Sequence, residues 1–383
     1  MELIKTNKEL KEVCKTLSKA KFITIDTEFI REKTYWSRLC LIQVCTDDLE
    51  LIIDPIEENL DLTPFLKILN KKSILKIFHS GRQDVEIFFK ISGKIPTPIF
   101  DTQIAAMVCG FGDSVGYEKL VDKVLGKKID KSSRFSNWAK RPLTEKQLNY
   151  AIGDVTHLHE IYPILMSEIK EKNRETWLDE ELSILTSEST YDTNPKLAFR
   201  RLKVRGYDVK TRGVTYQLAL WREERAQKKD LPRGRVIRDD IIYELSSMKP
   251  KSLDEIMSLR SFSNGLMLKE EVMNEILEQI LIGLSLEEKD LPKLADKRKL
   301  PHGTTSRVSL LKILLSSTAE ENEVAQKLIA STQDLEDLIA DDSADIKTLK
   351  GWRYELFGKK ALDFKNGKVA ITMEENKVTL KDI

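Results

Sequence analysis

The chain has 383 residues, 41% hydrophobic and 33% charged, a composition that excludes a disordered or fibrous protein and leaves room for two or three globular domains. Lys and Arg number 63 against 62 Asp and Glu, so only the local distribution of charge can point to a nucleic-acid partner. No apolar run is long enough for a membrane span or a signal peptide, and the four cysteines (Cys14, Cys40, Cys45, Cys109) and four histidines form no zinc pattern. The expectation is a cytoplasmic protein with reduced thiols and no membrane partner.

Residues 6 to 19 read as a helix with Leu10, Val13, Cys14 and Leu17 on one face. Three strand-like stretches follow: Phe22 to Phe29, Leu39 to Thr46 and Leu49 to Pro55, the last two joined at Asp47 and Asp48 in a hairpin turn. A helix over 63 to 69 leads to a strand over Ile74 to His79, and a helix starts near Asp84. Strands that alternate with helices predict a mixed sheet flanked by helices. A long helix runs from behind Thr144 to about Ile169, and the polar stretch 187 to 196 reads as a linker.

Beyond the linker the chain turns basic, with 14 Lys or Arg against 6 Asp or Glu from Lys196 to Asp240. Residues 215 to 283 read as four or five short helices, one opening at Leu220, another capped by a Ser252–Glu255 box. Residues 305 to 350 are helical again and acidic, and the tail KVAITMEENKVTL alternates in the manner of a small hairpin.

Asp26 and Glu28 stand two apart on the first long strand, so the pleat puts both carboxylates on one face. Two such anions repel, and a divalent cation that favours oxygen ligands resolves the repulsion. Asp84 follows a strand and the Gly81 turn, where an ordinary helix cap would explain it. Tyr150 and Asp154 stand four apart on one helix face. Taken singly, each position has a bland explanation: a solvated strand end, a cap, a surface pair.

As an ordered set, DTE, HSGRQD and YAIGD resemble the three motifs of the DEDD exonuclease superfamily. The flanks LCLIQVCT, KIFHSGRQDVEIFF, IFDTQIAA and NWAKRPLTEKQLNYAIGDVTHLHEIY resemble the ribonuclease D family in particular. Asn149 stands where the histidine branch of the superfamily has its histidine, and Tyr150 places the chain with the tyrosine branch. The basic helical block, from Leu220-Trp221-Arg222 through PKSLDEIMSL, looks like a helicase-and-RNase-D C-terminal (HRDC) domain. Its small-residue turn is only partly kept in SFSNG, Ser261 to Gly265. LKGWRYELFGKKAL, Leu349 to Leu362, resembles part of the family's second such domain.

The resemblance implies an α/β RNase H-like exonuclease domain over 1–190. An HRDC domain would occupy 210–288 and a second HRDC-like helical domain 293–372. It implies two divalent metal ions, Mg²⁺ or Mn²⁺, held by Asp26, Glu28, Asp84 and Asp154, with Tyr150 orienting the attacking water. The implied partner is RNA, meaning tRNA precursors and small structured RNAs, trimmed from the 3′ end by a monomer that releases nucleoside 5′-monophosphates. Phe29, Gln43, His79 and Gln83 are candidate substrate contacts beside the motifs. Lys228, Arg233 and Arg235 are candidate phosphate contacts in the basic block. Two rival readings share these features: a DNA 3′-5′ exonuclease of the same superfamily, and a non-catalytic RNA-binding protein on a nuclease scaffold.

Overall fold

The computed structural model describes all residues except 57–59, 131, 205–207, 264–268, 294–299 and 376; Asn264 and Gly265 of the SFSNG turn lie among these. No described helix is long and apolar enough to cross a membrane, and all four cysteines are buried and free. The chain divides into two compact units. The first comprises Met1–Glu28, Leu39–Thr190 and Asp296–Ile383, and the second comprises Phe29–Arg38 and Tyr191–Ala295.

The first unit is built on six strands: β1 (Glu2–Ile4), β2 (Phe22–Ile30), β3 (Arg38–Cys45), β4 (Glu50–Ile53), β5 (Leu75–Phe78) and β6 (Ile99–Asp101). Their order is β1-β4-β3-β2-β5-β6. The β3–β4 pair is antiparallel, whereas β1–β4, β2–β5 and β5–β6 are parallel. The strands β1 and β6, three residues each, carry too little periodicity to stand out in the sequence.

Seven helices accompany the sheet: α1 (Asn7–Leu17), α2 (Thr63–Leu69), α3 (Arg82–Ser92), α4 (Thr102–Val108), α5 (Tyr117–Leu125), α6 (Glu145–Glu171) and α7 (Glu175–Leu185). The long helix α6 starts at a full capping box between Thr144 and Gln147. It buries Ala151, Val155, Leu158, Ile161 and Leu165 at helical spacing. The Thr24 hydroxyl donates to the Val155 carbonyl at 2.9 Å, and Phe22 and Phe100 pack on Tyr162. These contacts fix α6 across the face of β2 that carries its even-numbered residues.

The second unit centres on α8 (Val209–Lys229), with α9 (Arg233–Val236), α10 (Asp239–Met248), α11 (Leu253–Ser258), α12 (Arg260–Ser263) and α13 (Glu270–Ser285). The helix expected to open at Leu220 opens instead at Val209, capped by Asp208 through Thr211. The expected Ser252–Glu255 box is half present. Ser252 accepts from the Glu255 amide, but the Glu255 carboxylate takes the Lys251 amide in place of that of Ser252. α8 and α13 approach through glycines, since a Cβ on Gly283 would meet the Val214 Cα at 2.5 Å. The core holds Tyr35, Phe199, Leu218, Ile242 and Ile276.

The last block belongs with the first unit. It contains α14 (Thr304–Glu321), α15 (Gln326–Ile329), α16 (Thr332–Ala340), α17 (Gly351–Arg353) and α18 (Lys359–Lys365), then the antiparallel hairpin β7 (Val369–Glu374) and β8 (Lys377–Asp382). Arg353 pairs with Glu180 at 2.6 Å and with Glu181, Trp352 stacks on Trp177 at 4.1 Å, and Arg174 donates to the Glu323 carbonyl at 2.9 Å. These contacts make one body of segments that are far apart in sequence.

Candidate active site

The pleat of β2 turns Asp26 and Glu28 to the face that receives α6, and α6 brings Asp154 to them. One carboxylate oxygen from each of the three lies within 4.8 Å of the others. Burial, and then the charges of Asp84, Asp154 and Glu28, push Asp26 well above the usual carboxylate range. Burial, with Asp154 and Asp84, pushes Glu28 up to about 9. Burial raises Asp154 to about 7, against a hydrogen bond from Tyr150 and the charge of Arg134. Hard, crowded oxygen donors with this mutual repulsion fit a divalent cation.

Asp84 is placed differently. The cap of α3 is Gly81, and Asp84 sits inside the first turn, so a capping role does not explain it. Its carboxylate accepts from the Thr27 hydroxyl, and burial raises it to about 6. It stands outside the trio within 4.8 Å, yet its charge adds to the shifts of both Asp26 and Glu28. The turn before it is tight: Ser80 has φ 56°, and a Cβ on Gly81 would collide with the Phe78 side chain. Asp101 organises this turn by accepting from the amides of Ser80 at 3.1 Å and Gly81 at 2.8 Å.

A cavity of about 520 Å³ opens on the cluster, lined by Asp26, Glu28, Tyr150, Asp154, His79, Tyr117 and Arg134 among others. It lies beyond the C-terminal ends of the paired segments of β2 and β5, where open α/β sheets commonly bind ligands. Trp138 supports Tyr150, with ring centroids 6.1 Å apart. Burial and the neighbouring anions raise the Tyr150 phenol above its ordinary value, so it stays neutral.

Of the other sequence candidates, His79 lines the cavity with its Nδ1 2.9 Å from the Thr102 hydroxyl. Gln83 is exposed beside Asp84, and Phe29 is half-buried at the end of β2. Gln43 is a correction. It is 0% exposed on β3 and absent from the cavity lining, so it cannot touch a substrate. Arg233 is engaged within the second unit, its guanidinium held by Glu223 at 2.5 and 2.6 Å and by the Tyr35 hydroxyl at 2.8 Å. Lys228 and Arg235 are exposed. Arg222 and Arg225 of the same basic block pair with Asp239 and Glu275.

Two residues carry no mark in the sequence. The Tyr117 hydroxyl lies 2.9 Å from the Gly153 carbonyl and 2.7 Å from that of Asp154, which anchors the turn of α6 that carries the carboxylate. Arg134 reaches the cavity from the segment before α6. Neither stands at a telling spacing, because their roles arise from the approach of α5 and a loop to α6.

The chain matches the 3′-5′ exonuclease family over residues 1–170 and the HRDC domain over residues 212–279. It is 42% identical to a ribonuclease D of Nitrobacter hamburgensis over 99% of this chain and 98% of that one. It is 38% identical to a ribonuclease D of Bartonella henselae over 100% and 94%. Among solved structures, Escherichia coli RNase D, described as an exoribonuclease involved in structured RNA processing, superposes with TM-score 0.80 at 27% identity. That match covers 95% of this chain and 98% of that one.

Proposed function

The chain belongs to the ribonuclease D family and is a 3′→5′ exoribonuclease, and we propose that its working site is the cavity built on Asp26, Glu28, Asp84, Asp154 and Tyr150. The convergence of three carboxylates within 4.8 Å, raised in pKa by burial and by one another, carries this reading. The four carboxylates would hold two divalent ions, Mg²⁺ or Mn²⁺. Ions bound there supply Lewis acidity, which makes water a nucleophile near neutral pH and stabilises the leaving 3′-oxygen.

The protein's own groups do the positioning. Tyr150 is a neutral phenol one helical turn from Asp154, so it orients a water by hydrogen bonding without taking its proton. Glu28, on the cavity wall, is suited to accept a hydrogen bond from that water or from the terminal 3′-hydroxyl. Tyr117 and Trp138 keep α6 and Tyr150 in place. In-line attack on the last phosphodiester releases a nucleoside 5′-monophosphate.

We assign tRNA precursors and other small structured RNAs as substrates, supported by the role stated for the Escherichia coli protein. The protein acts as a cytoplasmic monomer. In support of the cytoplasm, its four cysteines are buried and free. The carboxylates serve RNA and DNA alike, because the two differ at the 2′-hydroxyl. The test offers a tRNA precursor with a 3′ extension beside single-stranded DNA of equal length. Stepwise trimming of the RNA alone, with 5′-monophosphates as product, is expected; equal rates on both polymers would overturn the RNA assignment.

A further inference from the structure

The stretch from Ser133 to Arg141, ahead of α6, is pinned at several points. Ser133 and Trp138 are buried, and Arg141 clasps the buried Asp54 through two contacts of 2.6 Å. This fixed segment nevertheless holds Phe135 92% exposed, more than any other large hydrophobic side chain among the described residues. Folding gives no reason for that placement, because a phenyl ring in water forfeits the gain of burial. Its neighbour Arg134 lines the catalytic cavity and sets its guanidinium 5.4 Å from the Phe135 ring centroid. Lys128 and Lys140 add exposed positive charge along the same segment.

We propose that Phe135 and Arg134 form a nucleotide subsite at the mouth of the catalytic cavity, where the ring stacks on a base near the RNA 3′ end and the guanidinium meets a backbone phosphate. Stacking suits an enzyme that removes residues of any sequence, since every base offers a π face. A pinned segment presents the ring at low conformational cost. Arg134 lines the cavity that holds the carboxylates, so a phosphate that enters above them meets a cation. The proposal rests on the exoribonuclease reading of this cavity.

The test compares the full chain with Phe135→Ala, Phe135→Leu and Phe135→Trp on a single-stranded oligoribonucleotide, and on the same oligomer with its last few residues abasic. Affinity is also read by anisotropy in an Asp26→Asn background. The Ala and Leu variants are expected to raise KM and Kd about tenfold, equal to about 1.4 kcal/mol, with kcat and melting temperature unchanged. Trp is expected to restore both constants, and the abasic oligomer should not distinguish Phe135→Ala from the parent. A KM for Phe135→Ala within about twofold of the parent, full function with Leu, or an equal loss on the abasic oligomer would each overturn the subsite. A parent that fails to shorten the intact oligomer, or an active Asp26→Asn, would overturn the exoribonuclease reading instead.

Discussion

At the scale of single residues, the raised carboxylates govern how the site takes up metal. Glu28 is pushed up to about 9, so it carries a proton at pH 7 when no cation is present, and burial with the neighbouring anions raises Asp26 well above its ordinary range. Ligation requires the ionised forms, so binding releases protons and metal affinity rises with pH between about 6 and 9. Calorimetric titration with Mg²⁺ at pH 7 in buffers of different ionisation heat should show release of about one proton or more; heats independent of buffer would contradict the assignment. Tyr150→Phe keeps the packing on Trp138 but removes the hydroxyl. It should lower kcat about 100-fold with KM little changed, and an unchanged kcat in steady-state assays would count against a water-orienting role. Strand period two and the i, i+4 spacing on α6 make Asp26, Glu28, Tyr150 and Asp154 legible in the sequence. Gln43 misled because a polar residue in a strand looks the same in sequence whether it faces solvent or the core. Tyr117 and Arg134 are silent there because only the tertiary approach of α5 and the pinned segment gives them work.

At the scale of elements, several cations of the basic block make ion pairs within the second unit. Glu223 on α8 is 1% exposed and gathers Tyr35, Arg201 and Arg233 around it. Burial alone would raise its pKa, but hydrogen bonds from Arg233 and Tyr35 and the Arg charges outweigh burial and hold it near 2. Its folded pKa thus lies below the unfolded value of about 4.3. The network's contribution is complete above that value and is lost as pH falls toward 2. Glu223→Gln should cost about 3 kcal/mol, because it removes the buried anion that Arg201 and Arg233 share. Urea unfolding of the second unit should show that loss at pH 7 and a smaller gap at pH 3; equal stability at pH 7 would refute the network's role. α8 opens at Val209, eleven residues ahead of the start that the sequence predicts at Leu220. Its first turns carry Gly213, a poor helix former that its close approach to Gly283 of α13 makes acceptable.

At the scale of the whole molecule, sequence order and spatial grouping diverge. Three successive blocks were readable from the helical pattern and the polar stretch after 187, but that pattern could not show which blocks share a core. Tyr35 is 3% exposed within the second unit, and the last helical block joins the first unit through Arg353, Trp352 and the Glu323 carbonyl. A chain ending at residue 295 should therefore have a less stable exonuclease unit, melting roughly 5–10 °C lower by calorimetry. An unchanged transition would show that the last block contributes nothing to it. On the proposed assignment the carboxylate cavity removes nucleotides one at a time from an RNA 3′ end with divalent metal. Its most direct test follows a 5′-labelled oligoribonucleotide with Mg²⁺ or Mn²⁺, with chelator, and with Asp26→Asn in place of the parent. A ladder shortening by single nucleotides, with 5′-monophosphates released and both controls inert, is the predicted result. Internal cleavage fragments, or a ladder that survives Asp26→Asn, would contradict it.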